Sequence, residues 1–301
     1  MKNDLNALRA QLKDEIPNLA FILGNGVNRY AYDSKGASWQ DMLLYIYHQI
    51  TGKRLSSISE GVSYTEFYNI LSLEGGNMDI LRKTVVDYTY ENYRSEKYHH
   101  WLQEELVKWD VPVLTTNFDK NLDSEYQKHK IFKYEGMRRG FTDFYPWNVY
   151  YGPNALLTPL DGFAVWHING VIDYPRSIRL GLSEYINQTA RARDFLHKDE
   201  KIMDFDLKNR PHWNGSNTWL HIIFNTSLCF IGLGLDVNET FLRWLLLERA
   251  RYFKKYPERA KKGWYVTADN VKDGQQFFLD STGIEVVKLQ NYDEVYRGVF
   301  E

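Results

Sequence analysis

The 301-residue chain holds a single cysteine, only eight prolines, no excess of one charge and no long apolar run. One thiol excludes an internal disulfide and any zinc site built from several cysteines. Cys229 lies inside Leu228-Cys229-Phe230-Ile231, where a thiol packs as a small hydrophobe and is a poor nucleophile. The formal net charge is −2 and no long Lys/Arg block occurs, which argues against nucleic acid as the main ligand. Arg138-Arg139 and Lys254-Lys255 read as solvated surface. No stretch approaches the ~20 apolar residues that span a bilayer. Met1-Lys2-Asn3-Asp4-Leu5 lacks a signal-peptide core, so a cytoplasmic protein away from membranes is expected.

What the chain has in plenty is aromatic residues, with 22 Tyr and 9 Trp. Such amphipathic rings suit the margins of a large core, or stacking surfaces for a nucleotide or a partner.

Periodicity divides the chain into alternating elements. Leu5 to Ile16 reads as an amphipathic helix stopped by Pro17. Ser38 reads as the N-cap of a helix from Trp39 to about Ile50, with Gly52 as its stop. Residues 64–109 read as further helices broken at Gly75-Gly76. A strand is expected at 111–116, a helix from Asp119 to about Lys128 and a strand at 131–135. Gly136 to Asp161 reads as irregular, followed by strands at 163–168 and 177–181. The charged stretch from Ser183 to Trp213 fits an inserted module or lid. The last third alternates helix and strand to the end, as in a parallel sheet covered on both faces. The expectation is one α/β domain over 1–301, a Rossmann-like parallel sheet with a smaller helical and irregular insertion. The insertions are placed at about 52–109, helical, and about 183–215, charged.

Four apolar runs each end in a polar motif. Leu19 to Leu23 leads into Gly24-Asn25-Gly26-Val27-Asn28-Arg29, and Val111 to Leu114 into Thr115-Thr116-Asn117-Phe118-Asp119. Phe163 to Trp166 leads into His167-Ile168-Asn169-Gly170, and Leu228 to Ile231 into Gly232-Leu233-Gly234-Leu235-Asp236. In a parallel α/β sheet the carboxyl ends of the strands share one edge, where ligands bind. The four motifs can therefore meet although about 200 residues separate the first from the last.

Each motif has its own chemistry. Gly-x-Gly after a strand lets backbone amides approach a pyrophosphate. Arg29 at the third glycine position departs from the dinucleotide fingerprint of dehydrogenases, and no Gly-Lys-Ser/Thr of a phosphate-binding loop is present. Asn28 and Arg29 add polar and cationic reach. Asn117 and Asp119 read either as N-caps or as ligands of ribose hydroxyls or a carboxamide. His167 is the histidine best placed at a strand end to act as a base. Gly232, Gly234 and Asp236 would present a phosphate or ribose to the amino end of the next helix.

Taken together, these motifs resemble the sirtuin-like family, in particular its bacterial branch that hydrolyses NAD in anti-phage defence. Gly24-Asn25-Gly26-Val27-Asn28 is similar to the family's Gly-Ala-Gly-x-Ser turn, with Trp39 matching a tryptophan that often follows. Thr115 to Asp119 looks like Thr-Gln-Asn-x-Asp, which implies Asn117 at the nicotinamide ribose and Asp119 in the nicotinamide pocket. Gly232 to Asp236 is similar to the later glycine motif on the adenosine side. The family's His-Gly departs here: alignment on Gly170 puts Asn169 in the histidine's place, with His167 two residues earlier.

The resemblance implies an NAD hydrolase that uses NAD as substrate and no metal. Catalytic roles fall to Asn117 and His167; binding roles fall to Gly24, Asn25, Gly26, Asn28, Arg29, Asp119, Asn169, Gly232, Gly234 and Asp236. His167 would act as base or touch a ribose hydroxyl. The zinc ribbon of deacetylating sirtuins is not expected, since one cysteine cannot supply four ligands. A regulatory partner protein or a homo-oligomer is expected to restrain the activity. The alternatives are a module that binds NAD or a related nucleotide without cleaving it, and a structural subunit with a vestigial pocket.

Overall fold

A computed structural model describes residues 5–33, 38–75, 77–131, 142–197, 213 and 215–301. Strand β1 (Leu19–Leu23) is apolar at every position because both its faces are covered. Leu19, Phe21 and Leu23 join one core layer, and Ala20 and Ile22 the other. Strands β2 (Pro112–Thr115), β5 (Ala164–His167) and β6 (Ser227–Ile231) are likewise buried along their length, with one polar residue each, Thr115, His167 and Ser227. With β7 (Gly263–Thr267) and β8 (Glu285–Lys288) they form a parallel set in the order β5-β2-β1-β6-β7-β8. Numbered by their own succession, that is 3-2-1-4-5-6, the doubly wound order of Rossmann-like folds. Strands β3 (Gln127–Lys130) and β4 (Val149–Gly152) extend the β5 edge antiparallel.

The chain winds outward from β1 through β2 to β5, and from β6 outward in the opposite direction. The switch point therefore lies between β1 and β6, where an open α/β sheet leaves a crevice. Helices α1 (Leu5–Asp14) and α6 (Lys97–Trp109) cover one face. Helices α7 (Leu182–His197), α8 (Trp219–Asn225), α9 (Thr240–Lys255) and α10 (Asp273–Ser281) cover the other. Short helix α2 (Gly26–Ala31) starts directly after the first glycine turn.

A third core cluster belongs to α3 (Trp39–Thr51), α4 (Tyr64–Leu73) and α5 (Met78–Asn92). These helices pack on β4 and on Val171, Ile172, Ile178 and Leu180. The helical insertion expected at 52–109 thus divides: α4 and α5 join α3 in that cluster, while α6 packs on the sheet. Helix α3 follows its sequence signals closely. Ser38 Oγ accepts the Asp41 amide, and Gly52 ends the helix in the left-handed region at φ 69°.

Several expectations are corrected. In place of a helix at 119–128 there are turns and then β3. The Asp119 carboxylate is buried and accepts the Asn121 amide, a local bond that favours a turn over a helix. The strand expected at 131–135 lies outside the described residues after Ile131. Within 136–161, read as irregular, β4 is a buried strand. The alternation at 177–181 does not make a sheet strand; a 3₁₀ turn at Pro175–Ser177 precedes an extended segment. Arg179 is buried and donates to the carbonyls of Arg176 and Phe144. The helix expected at 292–299 is present over 292–298, and its last part, Glu294–Gly298, is π-helical. The charged 183–215 segment begins as α7; residues 198–212 and 214 lie outside the described residues.

Candidate functional site

Two cavities meet at the carboxyl edge of the sheet. The larger is a cleft of about 520 Å³, within the ~300–1,000 Å³ typical of small-molecule sites. Behind it lies an inner chamber of about 80 Å³. Asn25, Trp39, Thr116 and Glu239 contribute to both and form the neck between them.

Six of the sequence-derived residues line the cleft: Asn25, Gly26, Arg29, Gly232, Gly234 and Asp236. Arg29 is exposed and is the one cation among the described residues lining it. Asn117, Asp119 and Asn169 line the inner chamber, together with Asn25. The four motifs, distant in the chain, thus converge on one two-chamber site.

Gly24, Asn28 and His167 line neither cavity. The Gly24 amide donates to Ile231 O at 3.0 Å and the Gly26 amide to Gly232 O at 2.8 Å, so the two glycine turns are stitched together. A Cβ on Gly24 would sit 2.5 Å from Gly232 O, and one on Gly26 would sit 2.5 Å from Gly232 Cα. Gly232 itself is left-handed, at φ 72°. The phosphate-approach reading of Gly24 is therefore corrected to turn-against-turn packing.

Asn28 is likewise a framework residue, not a ligand. Its amide donates to Asp119 Oδ2 at 2.8 Å and Asn25 Oδ1 at 3.1 Å. Its oxygen accepts His99 Nε2 at 3.0 Å and Asn121 Nδ2 at 3.1 Å. The side chain is fully buried, and these four bonds leave it no free group to offer. His99 Nδ1 accepts the Glu96 amide, so Nε2 carries the proton given to Asn28. Burial lowers the His99 pKa to about 4 and keeps the ring neutral.

His167 stands behind the chamber wall. Its Nδ1 donates to the Asn117 carbonyl at 2.8 Å, and its Nε2 lies 3.5 Å from Asp123 Oδ1. Buried Asp123 also lies 3.1 Å from Lys120 Nζ, but neither contact to Asp123 has hydrogen-bond alignment. The expectation that His167 and Asn169 share access to the ligand does not hold: Asn169 faces the chamber, and His167 holds the Asn117 backbone. Asn117 is further fixed by its amide to Thr115 Oγ1, at 3.1 Å.

Two buried polar atoms on the chamber residues, Trp39 Nε1 and Asn169 Oδ1, have no hydrogen-bond partner among the described residues. One is a donor and the other an acceptor. Asp119, by contrast, has both oxygens engaged, by Asn28 and by the Asn121 amide. Burial raises its pKa above the ordinary carboxylate value despite those bonds.

Sequence reasoning missed Glu239, just before α9, and the aromatic wall of the cleft. Glu239 has a carboxyl pushed up to about 7, chiefly by burial and then by the charge of Asp236. Tyr30 and Tyr296 stack at 4.9 Å, and Tyr292 continues the row at 6.1 Å from Tyr296. Asp269, after β7, completes that side. The signal available for Glu239 was its position three residues beyond the last glycine motif; Tyr292 and Tyr296 are spaced for one helical face.

Among the described residues no helix is long and apolar enough to cross a membrane, and no cluster of three His, Cys, Asp or Glu is arranged for a metal ion. Compared with known proteins, the chain matches no protein-family model and no curated protein.

Proposed function

We propose that this chain hydrolyses NAD, releasing nicotinamide and ADP-ribose, as a sirtuin-like effector of anti-phage defence. The observation that carries this reading is the two-chamber cavity at the switch point, walled by all four motifs. The cleft suits an elongated ligand with aromatic and anionic parts: it offers a row of tyrosine rings, Trp39 and one exposed guanidinium. The inner chamber suits a small amide-bearing ring. Unpaired Trp39 Nε1 would donate to the carboxamide oxygen and unpaired Asn169 Oδ1 would accept its N–H.

Cleavage of the nicotinamide–ribose bond builds positive charge on the sugar, as in glycoside hydrolysis. Asn117, pinned from behind by His167, orients the ribose or the attacking water. His167 is then a positioning residue. The cellular setting rests on the resemblance alone. An NAD hydrolase must be restrained in its own cell, and we place that restraint in a partner protein or in assembly of several copies.

Incubation of the purified chain with NAD, followed by chromatography, tests this. Asn117→Ala should nearly abolish nicotinamide release. His167→Ala should lower turnover by about 10–100-fold while leaving KM near the wild-type value, since a displaced Asn117 spoils alignment rather than binding. Wild-type turnover in both variants would end the assignment. A second reading, a module that binds the nucleotide without cleaving it, is favoured by one observation: Asn169 cannot accept a proton where the related family has histidine. Calorimetric binding with no nicotinamide released would select it.

A further inference from the structure

The geometry points to Glu239 as the group that takes the proton from the attacking water; this rests on the hydrolase reading and goes beyond it. Glu239 is the one carboxylate among the described residues lining both chambers. If a ring occupies the inner chamber and the rest of the dinucleotide the cleft, the bond between them lies at the neck. The neck is where Glu239 stands.

The alternatives are already spoken for. Asn169 has no proton-accepting side chain at neutral pH. His167 lines neither chamber. Asp119 lines the inner chamber, but both of its oxygens accept hydrogen bonds. The Glu239 carboxylate accepts none among the described residues, so its lone pairs are free for water.

The other charged groups facing this space are Asp119, Asp236, Asp269 and Arg29. The facing phenols Tyr64, Tyr93, Tyr185 and Tyr265 are all raised above their ordinary value, mainly by burial. They stay protonated near neutrality. A carboxyl moved to about 7 by burial and by Asp236 is matched to base work at that pH.

In the step itself, water oxygen forms a bond to C1′ of the nicotinamide ribose. The C1′–N1 bond breaks, and its electron pair neutralises the pyridinium ring, which leaves as nicotinamide. The water proton passes to the Glu239 carboxylate and then to solvent. One NAD, with its pyridinium ring, and one water give ADP-ribose, nicotinamide and one proton.

The test measures kcat for the full chain with NAD from about pH 5 to about pH 9, alongside Glu239→Gln and Glu239→Asp. Expected is a wild-type rate that rises along a limb centred near 7. Glu239→Gln should lose about 10²–10⁴-fold in kcat and lose the limb, while calorimetry shows NAD still bound. Glu239→Asp should keep a displaced limb. A flat wild-type profile overturns the inference without any variant, as does a Glu239→Gln enzyme that keeps roughly a tenth or more of kcat. Absence of nicotinamide release from the wild type at every pH, in its monomeric and its assembled fractions alike, overturns the hydrolase reading itself.

Discussion

Two titratable side chains, half-buried Glu239 and buried His99, oppose each other in their effect on stability. Glu239 is raised from 4.5 to about 7 in the folded protein, so between those values the folded state holds more protons than the unfolded one. Stability from this group is therefore greatest below 4.5 and falls as pH rises through 7. His99 is lowered from 6.5 to about 4, so the unfolded state takes up its proton first. Its contribution is intact above 6.5 and is lost as pH falls toward 4. Each shift corresponds to on the order of 3 kcal/mol at about 1.4 kcal/mol per unit. We expect Glu239→Gln to be more stable than wild type above pH 7, with the gain gone below 4.5. Urea unfolding across that range checks it, and a gain that persists at low pH would contradict the cause. A variant that loses activity while gaining stability is the mark of a charge kept desolvated for function.

Among the elements, the turns after β1 and β6 behave as one unit. Gly24, Gly26 and Gly232 let two backbones approach until amide and carbonyl bond directly. Gly24→Ala would drive a methyl to 2.5 Å from both Gly232 O and Leu233 Cγ, and the carbonyl belongs to backbone that cannot step aside alone. The expected cost is about 1–3 kcal/mol of stability, read by denaturant unfolding, together with weakened NAD binding. Unchanged stability would mean the turns part more easily than their spacing implies.

What the sequence discloses about these elements follows from how local each cause is. Helix α3 is legible because its cap and stop, Ser38 and Gly52, sit directly at its two ends. The apolar runs of β1 and β6, Leu19 to Leu23 and Leu228 to Ile231, are legible for the same reason. Strand β4 is not: Val149 to Gly152 has four residues without alternation, and its burial comes from the third cluster packed above it. Arg179 gives a false alternation because the carbonyls that hold it come from Arg176 and from the distant Phe144. At the site, motif order reveals which strand ends converge. It does not reveal which side chains face inward: Asn28 and His167 look like ligands in sequence and turn out to be the props of Asp119 and Asn117.

In the whole molecule, the doubly wound order places the crevice between β1 and β6, while α3, α4 and α5 lean over it from outside the sheet. One wall of the cleft is thus sheet and its turns, and the facing wall includes Trp39, Gln40 and Tyr64 from the helical module. Saturation with NAD at ~100 times its Kd should raise unfolding free energy by about 2.7 kcal/mol. Hydrogen exchange should then slow most in α3, α4 and α5. Slowing confined to β1 and β6 would count against a ligand held between the two walls.

The stitched glycine turns carry a consequence for how anything enters. Fastened backbone to backbone, they make the floor a rigid anvil, and any widening falls to the wall carried by α3 and α4. A protein docking on the outer surface of those helices would press or release Trp39 without touching the cavity, so restraint of the site and admission of a ligand would be governed from one place.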